Sequence, residues 1–279
     1  MQTIQLGSIT IDAVSDGELG LPIAMMLPGA DVAAASALGG IDAKGIALAP
    51  LTTFIIRAGG RVILVDTGVG PSLKGFEDMD AGRPVGLLPA ALAGAGVTPE
   101  SVDFVVSTHL HGDHIGWNTL TTDGVSTPMF PRARYVITRV DWENRATIAG
   151  NGATARSLAP LEAAGQLMLI DDDGHAVVPG VELLFTPGHT PGHTSILVRE
   201  GGSGAVITGD AAHHPIEMED PDLKAVFDSD PDQAVLSRHT LVARIEAEGL
   251  TVLGGHFPAP TAGQIVRVEQ QRRWRWLGA

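Results

Sequence analysis

At residues 103–117 the chain reads DFVVSTHLHGDHIGW: an apolar run stops and gives way to three histidines around one aspartate. His109, His111 and His114 are three of only ten histidines in 279 residues. Positions i and i+2 on extended backbone point the same way, so His109 and His111 can grip one ion. Asp113 and His114 then face a neighbouring point. Whatever fold this chain adopts must end a buried strand where polar side chains can gather. Taken alone, the cluster fits a metal site, a proton relay or a polar loop equally.

Three further motifs also sit where a strand runs out into a loop, the place where folds display functional side chains. They are TPGHTPGHT (186–194) with His189 and His193, ITGDAAHHP (207–215) with Asp210 and His213, and GGHFP (254–258) with His256. A single buried histidine is usually a hydrogen-bonded core residue. Four such motifs together point to a metal centre. The chain has no cysteine, which removes disulfides, thiolate ligands and thiol nucleophiles together. The centre must then be built from histidine and aspartate, donors that suit zinc, manganese or iron.

Around these motifs, β-rich runs alternate with helical ones. TIQLGSITIDAV (3–14) and LTTFIIRAGGRVILVDTG (51–68) read as hairpins, the second around an Ala-Gly-Gly turn. Residues 89–102 read as a helix broken at Thr98-Pro99-Glu100, and 133–145 as a strand with a helix starting at Asp141. LMLIDDDG, VELLFTPGHT and SILVREGGSGAVITGD are strands between Gly-rich turns. Residues 230–249 read as a helix with Asp230 as N-cap, Pro231 at the first helical position and Gly249 as the stop. TVLGGHF (251–257) is a strand, and the closing QQRRWRWLGA reads as a terminal one. No linker separates the halves. The expectation is one domain over residues 1–279, of α+β class, built as a four-layer αββα sandwich.

Composition bounds the partners. Hydrophobic residues make up 44% and charged residues 18% of the chain, enough apolar content for a sizeable core. A formal net charge of −14 argues against nucleic acid and against an anionic membrane surface. The N-terminus shows no signal-peptide pattern. The apolar stretch 19–40 carries Pro22, Pro28 and Asp31, so it reads as a loop and short helix rather than a membrane span. A cytoplasmic protein with a small-molecule substrate is expected.

THLHGDH, TPGHTPGH, GD and GHF in this order resemble the metallo-β-lactamase superfamily, from the turn at Asp66 to His256. The resemblance implies the αββα fold and a centre of two divalent ions, zinc before manganese, iron or cobalt. It implies that His109, His111 and His189 hold one ion, that Asp113, His114 and His256 hold the other, and that Asp210 bridges them. Lactamases of the superfamily usually lack the aspartate at the position of Asp210, and several use a cysteine. Glyoxalase II continues past its last histidine into a basic helical segment, which QQRRWRWLGA does not resemble. A β-lactamase or a glyoxalase II-like thioesterase is therefore the lesser reading. The chain is more similar to the N-acyl homoserine lactone lactonases and the methyl parathion hydrolase-like enzymes. The lactonases typically carry a tyrosine three residues after the bridging aspartate; here that residue is His213, which leans toward the second group.

The implied activity is hydrolysis of lactones or related carboxylic esters, of acyl-homoserine lactone or aryl-lactone type, with a metal-bridging hydroxide as nucleophile. Phosphotriester hydrolysis is the alternative. Asp113 and Asp210 would offset the ions' charge and take up a proton, and His213 would serve catalysis or line the pocket. Asp66 would orient a ligand histidine or cap its own turn. His193 is expected behind the ligands, while His175, His214 and His239 have no evident partners. Met25, Met26, Leu27 and Trp117 are candidates for pocket wall or ordinary packing, and the segment around Pro22 to Leu38 for a pocket wall or a homodimer contact.

Overall fold

The structure, a computed structural model, describes residues 2–278. Alternating burial along the first strands sets up one sheet. β1 (Gln2–Leu6) and β2 (Ile9–Pro22) form the expected hairpin, and β3 (Ile46–Ala58) returns to β4 (Arg61–Val65) through the Gly59-Gly60 turn. β5 (Phe104–Val106) joins β4 in parallel. After a separate small hairpin of β6 (Thr119–Thr122) and β7 (Val125–Pro128), β8 (Arg134–Thr138) and β9 (Leu167–Ile170) complete the first sheet, in the order β1-β2-β3-β4-β5-β8-β9. The second sheet runs β10 (Ala176–Val178), β11 (Val181–Phe185), β12 (Thr194–Glu200), β13 (Ser203–Ile207), β14 (Thr251–Leu253), β15 (Ala262–Val268) and β16 (Gln271–Trp276), with spatial order following chain order. Within it only β13 and β14 pair in parallel.

Three apolar layers hold four layers of structure together. Ile11, Phe54, Ile56, Val65 and Val106 of the first sheet meet Val181, Ile196, Val198 and Ile207 of the second. The outer face of the first sheet (Ile55, Leu64, Val105, Tyr135) packs on Leu88 and Leu92 of the helix Leu88–Gly94 and on Trp142 of the helix Arg139–Ile148. Leu197, Val206 and Val252 of the second sheet pack on Leu241, Val242 and Ile245 of the helix Pro231–Glu248. This is the αββα sandwich expected from the sequence. The long helix has the expected ends: the Asp230 side chain accepts the Gln233 N–H, Pro231 opens it, and Gly249 closes it at φ 63°.

Several boundaries differ from expectation: the strand read over 251–257 ends at Leu253, the helix read over 89–102 ends at Gly94, and two further differences have a clear cause. The helix after β8 starts at Arg139, two residues before Asp141, because the Thr138 hydroxyl caps it by accepting the Asp141 N–H. The stretch 19–40 is less of a loop than expected: β2 continues to Pro22 after a bulge between Ser15 and Glu18, and two short helices follow, Ile23–Met26 and Val32–Ala37. Pairing with β3 outweighs the local glycines there. Among the described residues, no helix is long and apolar enough to cross a membrane.

Candidate metal centre

The strand directions decide where the motifs meet. β4 and β5 are parallel neighbours in one sheet, and β13 and β14 are parallel neighbours in the other. Residues 66 and 107–117 follow the first pair, and Asp210 and His256 follow the second. Carboxyl ends of parallel strands share an edge, and ligand sites form outside that edge. The turn between β11 and β12 adds His189 and His193.

Two groups of donors result. His109 Nε2 and His111 Nδ1 lie 2.9 Å apart, and His111 Nδ1 lies 2.9 Å from His189 Nε2. His114 Nε2 and His256 Nε2 lie 3.3 Å apart, with Asp113 Oδ2 at 3.7 and 3.6 Å from them. Asp210 stands between the groups: its Oδ2 is 3.3 Å from His189 Nε2 and 3.4 Å from His114 Nε2, and its Oδ1 is 3.4 Å from His256 Nε2. All seven residues of the expected ligand set are thus brought together. His111 and Asp113 are part-exposed, and the other five are buried.

The second nitrogen of most rings is spoken for. His114 Nδ1 lies 2.8 Å from Asp66 Oδ2, His189 Nδ1 3.1 Å from Asp228 Oδ1, and His256 Nδ1 2.9 Å from the Pro50 carbonyl. His109 Nδ1 lies 3.1 Å from the Thr108 hydroxyl, which itself donates to Asp66 Oδ2 at 2.8 Å. Each acceptor fixes the proton on the outer nitrogen and leaves the inner lone pair for the site. Asp66 therefore serves two histidines, His114 directly and His109 through Thr108. Of its two expected roles, the geometry favours orienting the ring. It adopts φ 60°, a left-handed conformation that aspartate tolerates better than most residues.

His193 takes a supporting place. Its Nε2 accepts the Asp210 N–H at 2.9 Å, and its Nδ1 lies 3.1 Å from the Thr186 carbonyl. Burial pushes the ring down to about 3, so it is neutral and able to accept. Gly209 makes that approach possible: at φ 53°, a Cβ there would stand 2.7 Å from His193 Nε2.

Does this donor set fit cations? Lone pairs of His109, His111 and His189 converge within hydrogen-bonding distance of one another, which is repulsive unless a proton or cation lies among them. Burial foremost holds His109 and His189 well below the usual imidazole range, so neither supplies that proton. Around His114 the sign reverses. Burial opposes its charge, but the carboxylates of Asp210, Asp113 and Asp66 outweigh it and raise the ring well above its ordinary value. The same carboxylates make positive charge favourable there, a demand that a divalent cation meets. Asp210 Oδ1, buried, has no hydrogen-bond donor. Among the described residues there are four overlapping sets, each with its donor atoms within 4.8 Å of one another: His109-His111-His189, His109-His114-Asp210, Asp113-His114-His256 and His189-Asp210-His213. The residues fit two cations with a shared carboxylate.

His213 Nε2 is 3.5 Å from Asp210 Oδ2 and Nδ1 is 3.8 Å from Glu217 Oε2. Burial opposes protonation of the ring, but these two carboxylates push it up to about 10. A cavity of about 1000 Å³ opens over the centre, reached by His111, Asp113, His189, Asp210, His213 and His256. Leu19, Met26, Phe76, Trp117 and Phe227 supply much of its apolar wall. The Met25-Met26-Leu27 run divides: Met26 lines the cavity, Leu27 is core, and Met25 is exposed. Trp117 is both wall and anchor, since its indole N–H donates to Asp16 at 2.9 Å.

Of the histidines without an expected partner, His214 has one: its Nδ1 accepts the Ile216 N–H and its Nε2 lies 3.1 Å from the Gly39 carbonyl. His239 is part-exposed beside Asp222, in keeping with a solvated helix face. The supporting residues Asp228, Glu217, Arg238 and Asp16 escaped the sequence reading. Asp16 is fully buried and accepts the N–H groups of Val69, Gly70 and Leu88 as well as Trp117, pinning the cavity wall. Only its place in an apolar strand could have flagged it.

Comparison with known proteins gives a family and a fold. Residues 49–256 match the metallo-beta-lactamase superfamily. The chain is similar to an N-acyl homoserine lactonase of Bacillus thuringiensis, 30% identical over 219 residues that cover 74% of this chain and 81% of the relative. It is 32% identical over 193 residues to an N-acyl homoserine lactonase of Bacillus cereus, covering 65% and 71%. Among solved structures it is similar to AidC, a dizinc quorum-quenching lactonase in complex with a product, with TM-score 0.80, 21% identity and coverage of 100% and 97%. The hydrolase AbOPH of the beta lactamase superfamily gives TM-score 0.79 at 24% identity, covering 99% and 97%. At these identities the two structures speak to the fold.

Proposed function

This chain belongs to the metallo-β-lactamase superfamily, and we propose that it is a dinuclear metal-dependent hydrolase of lactones or related carboxylic esters. The observation that carries the reading is Asp210, placed between two histidine groups at the base of a largely apolar cavity. The lactonase relatives support it. His109, His111 and His189 would hold one ion and Asp113, His114 and His256 the second, with Asp210 shared, and zinc is the preferred metal. Bound divalent ions of this kind supply Lewis acidity toward a carbonyl oxygen and lower the pKa of water to near neutrality.

The chain's own groups do the rest. Met26, Phe76, Trp117 and Phe227 offer an acyl or aryl substituent a surface from which water is excluded. Ester hydrolysis forms one bond from water oxygen to the carbonyl carbon, breaks the bond to the alcohol oxygen, and moves a proton from water to that alcohol. Asp113, part-exposed to the cavity, is placed to take up the proton that water releases. His213, both of whose ring nitrogens lack a hydrogen-bond partner in the protein, is placed to donate a proton to the departing oxygen. In the metal-free chain, burial opposes the charge of Asp210, but protonated His114 and His256 hold its carboxyl well below the usual range; two bound cations would favour that charge in the same way.

A substrate panel on metal-reconstituted protein tests this. Acyl-homoserine lactones, an aromatic lactone, an aryl ester, a phosphotriester and a β-lactam are assayed side by side. Turnover of the lactones or the ester is expected; phosphotriester turnover alone transfers the reading to the alternative. Two ions per chain with no lactone or ester hydrolysed would remove the substrate class while leaving the centre. A single domain over residues 1–279 and a cytoplasmic place of action are part of the same proposal.

A further inference from the structure

Two histidines at the centre lean on carboxylates from one stretch of chain, and both carboxylates lead to a single arginine. Asp228 Oδ1 is 3.1 Å from His189 Nδ1. Glu217 Oε2 accepts the N–H groups of His213 at 2.6 Å and His214 at 2.9 Å. Behind them, Nη2 of Arg238 lies 3.1 Å from Glu217 Oε1 and 3.8 Å from Asp228 Oδ2. Arg238 comes from the helix Pro231–Glu248 and is completely buried, as are the side chains of Glu217 and Asp228. Its Nε donates to the Ala211 carbonyl at 2.7 Å, and its Nη1 to the carbonyls of Pro221 (3.0 Å) and Leu223.

Burying a guanidinium costs several kcal/mol before its partners offset it. Leu241, Val242 and Ile245 already join this helix to the sheet, and an apolar residue at 238 would extend that contact at lower cost. What an apolar residue cannot do is hold two carboxylates in fixed orientation. Arginine can, because three backbone carbonyls hold its Nε and Nη1 and so fix the charged Nη2 of the planar group between the two carboxylates. Asp228 divides its oxygens, one toward His189 and one toward Arg238. Glu217 divides its own in the same way, one toward the 213–214 backbone and one toward Arg238. Removing the guanidinium frees both carboxylates to rotate away from the groups they orient.

We propose that Arg238 is a positioning residue for the centre: one buried guanidinium fixes the carboxylates behind His189 and His213, so that a metal ligand and the pocket histidine are aimed as a unit. The consequence for turnover rests on the hydrolase reading above; the consequence for metal retention does not depend on the substrate.

The test uses the metal-loaded full chain with R238K and R238M. Lysine keeps the charge, but one ammonium cannot span both carboxylates and three carbonyls. Readouts are metal released into a graded series of chelator, kcat and KM on whichever panel ester is hydrolysed, and far-UV dichroism. In folded R238K one of the two zinc ions is expected to leave about 10–100-fold more readily, the range for lost outer hydrogen bonds to ligands. kcat falls by a similar factor with KM little changed, because the cavity wall is intact. R238M loses at least as much. Wild-type metal retention in both folded variants overturns the proposal and leaves Arg238 as a staple for the 211–223 carbonyls. If no panel substrate is hydrolysed, metal retention alone decides. If neither variant folds, D228N, E217Q and their double variant replace them. Coupled losses, smaller together than the product of the two, support a shared anchor, and fully multiplicative losses overturn it.

Discussion

Replacing Asp66 by Asn asks whether one carboxylate sets the donors of the histidine loop. Asp66 Oδ1 accepts the Thr108 N–H at 2.8 Å, while Oδ2 accepts the Thr108 hydroxyl and the His114 Nδ1–H, each at 2.8 Å. Asparagine offers one oxygen and one NH2 group. With the NH2 in the place of Oδ2, it faces the His114 Nδ1–H, and that ring must move its proton to Nε2, withdrawing the lone pair aimed at Asp113 and His256. With the NH2 in the place of Oδ1, it opposes the Thr108 N–H. Either way a buried donor loses its acceptor, at a cost of about 1–3 kcal/mol. The backbone is not a confounding factor, because asparagine also tolerates φ near 60°. Loss of an outer hydrogen bond to a ligand histidine weakens metal binding about 10–100-fold, equivalent to about 1.4–2.8 kcal/mol. The assay is a chelator-buffered metal titration of D66N beside wild type, with thermal melts of both metal-free proteins. D66N is expected to bind at least one ion more weakly and to melt lower without metal, by about 2–4 °C for each kcal/mol lost. Wild-type metal affinity together with a wild-type melt would refute the reasoning, since no orientation of the amide satisfies all three donors.

Two further outcomes follow from the same geometry. D210N removes the charge between the two histidine groups, so metal content measured after gel filtration should fall from about two ions per chain toward one, with turnover reduced at least about 100-fold; two retained ions and normal turnover would take Asp210 out of the centre. Asp141 is pushed up to about 6 by burial, against the hydrogen bonds from Thr190 and Gly192. Between its ordinary value and 6 the folded state holds a proton that the unfolded state has lost, so its contribution to stability is present at low pH and fades as pH rises through 6. The whole span is worth up to about 3 kcal/mol. Chemical denaturation from pH 4 to 7, compared with D141N, should show that slope in wild type and not in the variant; parallel curves would count against it.

The centre was legible because its chemistry is local and its residue types are scarce. His109, His111, Asp113 and His114 lie within six positions, and each remaining candidate ligand sits at the end of an apolar run that is readable as a strand. The αββα arrangement was legible from the alternation of such runs with amphipathic ones and from the capped helix at 230–249. What was not legible depends on partners far along the chain. Asp228 meets His189 across 39 positions and Asp16 meets Trp117 across 101. The stretch DPDLKAVFDS, which contains Asp228 just ahead of the helix cap at Asp230, carries no signal beyond its acidity. Burial converts one of those aspartates into the support of a ligand, and burial is not written in its neighbours. The extension of β2 to Pro22 is similar: local glycines favour a loop, and the partner strand β3 decides otherwise.

That division between local ligands and distant supports has a consequence for what holds the molecule together. The first sheet contributes Asp66, His109, His111, Asp113 and His114, and the second contributes His189, Asp210 and His256. Neither sheet carries a complete donor set: the His109-His111 pair needs His189, and the Asp113-His114 pair needs His256. Cations that bind the folded chain and not the unfolded one add RT ln(1 + [L]/Kd) to stability, about 2.7 kcal/mol for each at a hundredfold excess over Kd. Bound at this donor set, cations would exert that energy across the boundary between the sheets, alongside the Ile11, Phe54, Ile196 and Ile207 layer. Without cations, the imidazole lone pairs of His109, His111 and His189 converge and repel, while against the effect of burial the carboxylates of Asp113 and Asp210 draw protons onto His114 and His256 instead. The centre and the inter-sheet core are therefore coupled through the same contact: displacing the sheets spoils the donor geometry, and filling the donor set draws the sheets together.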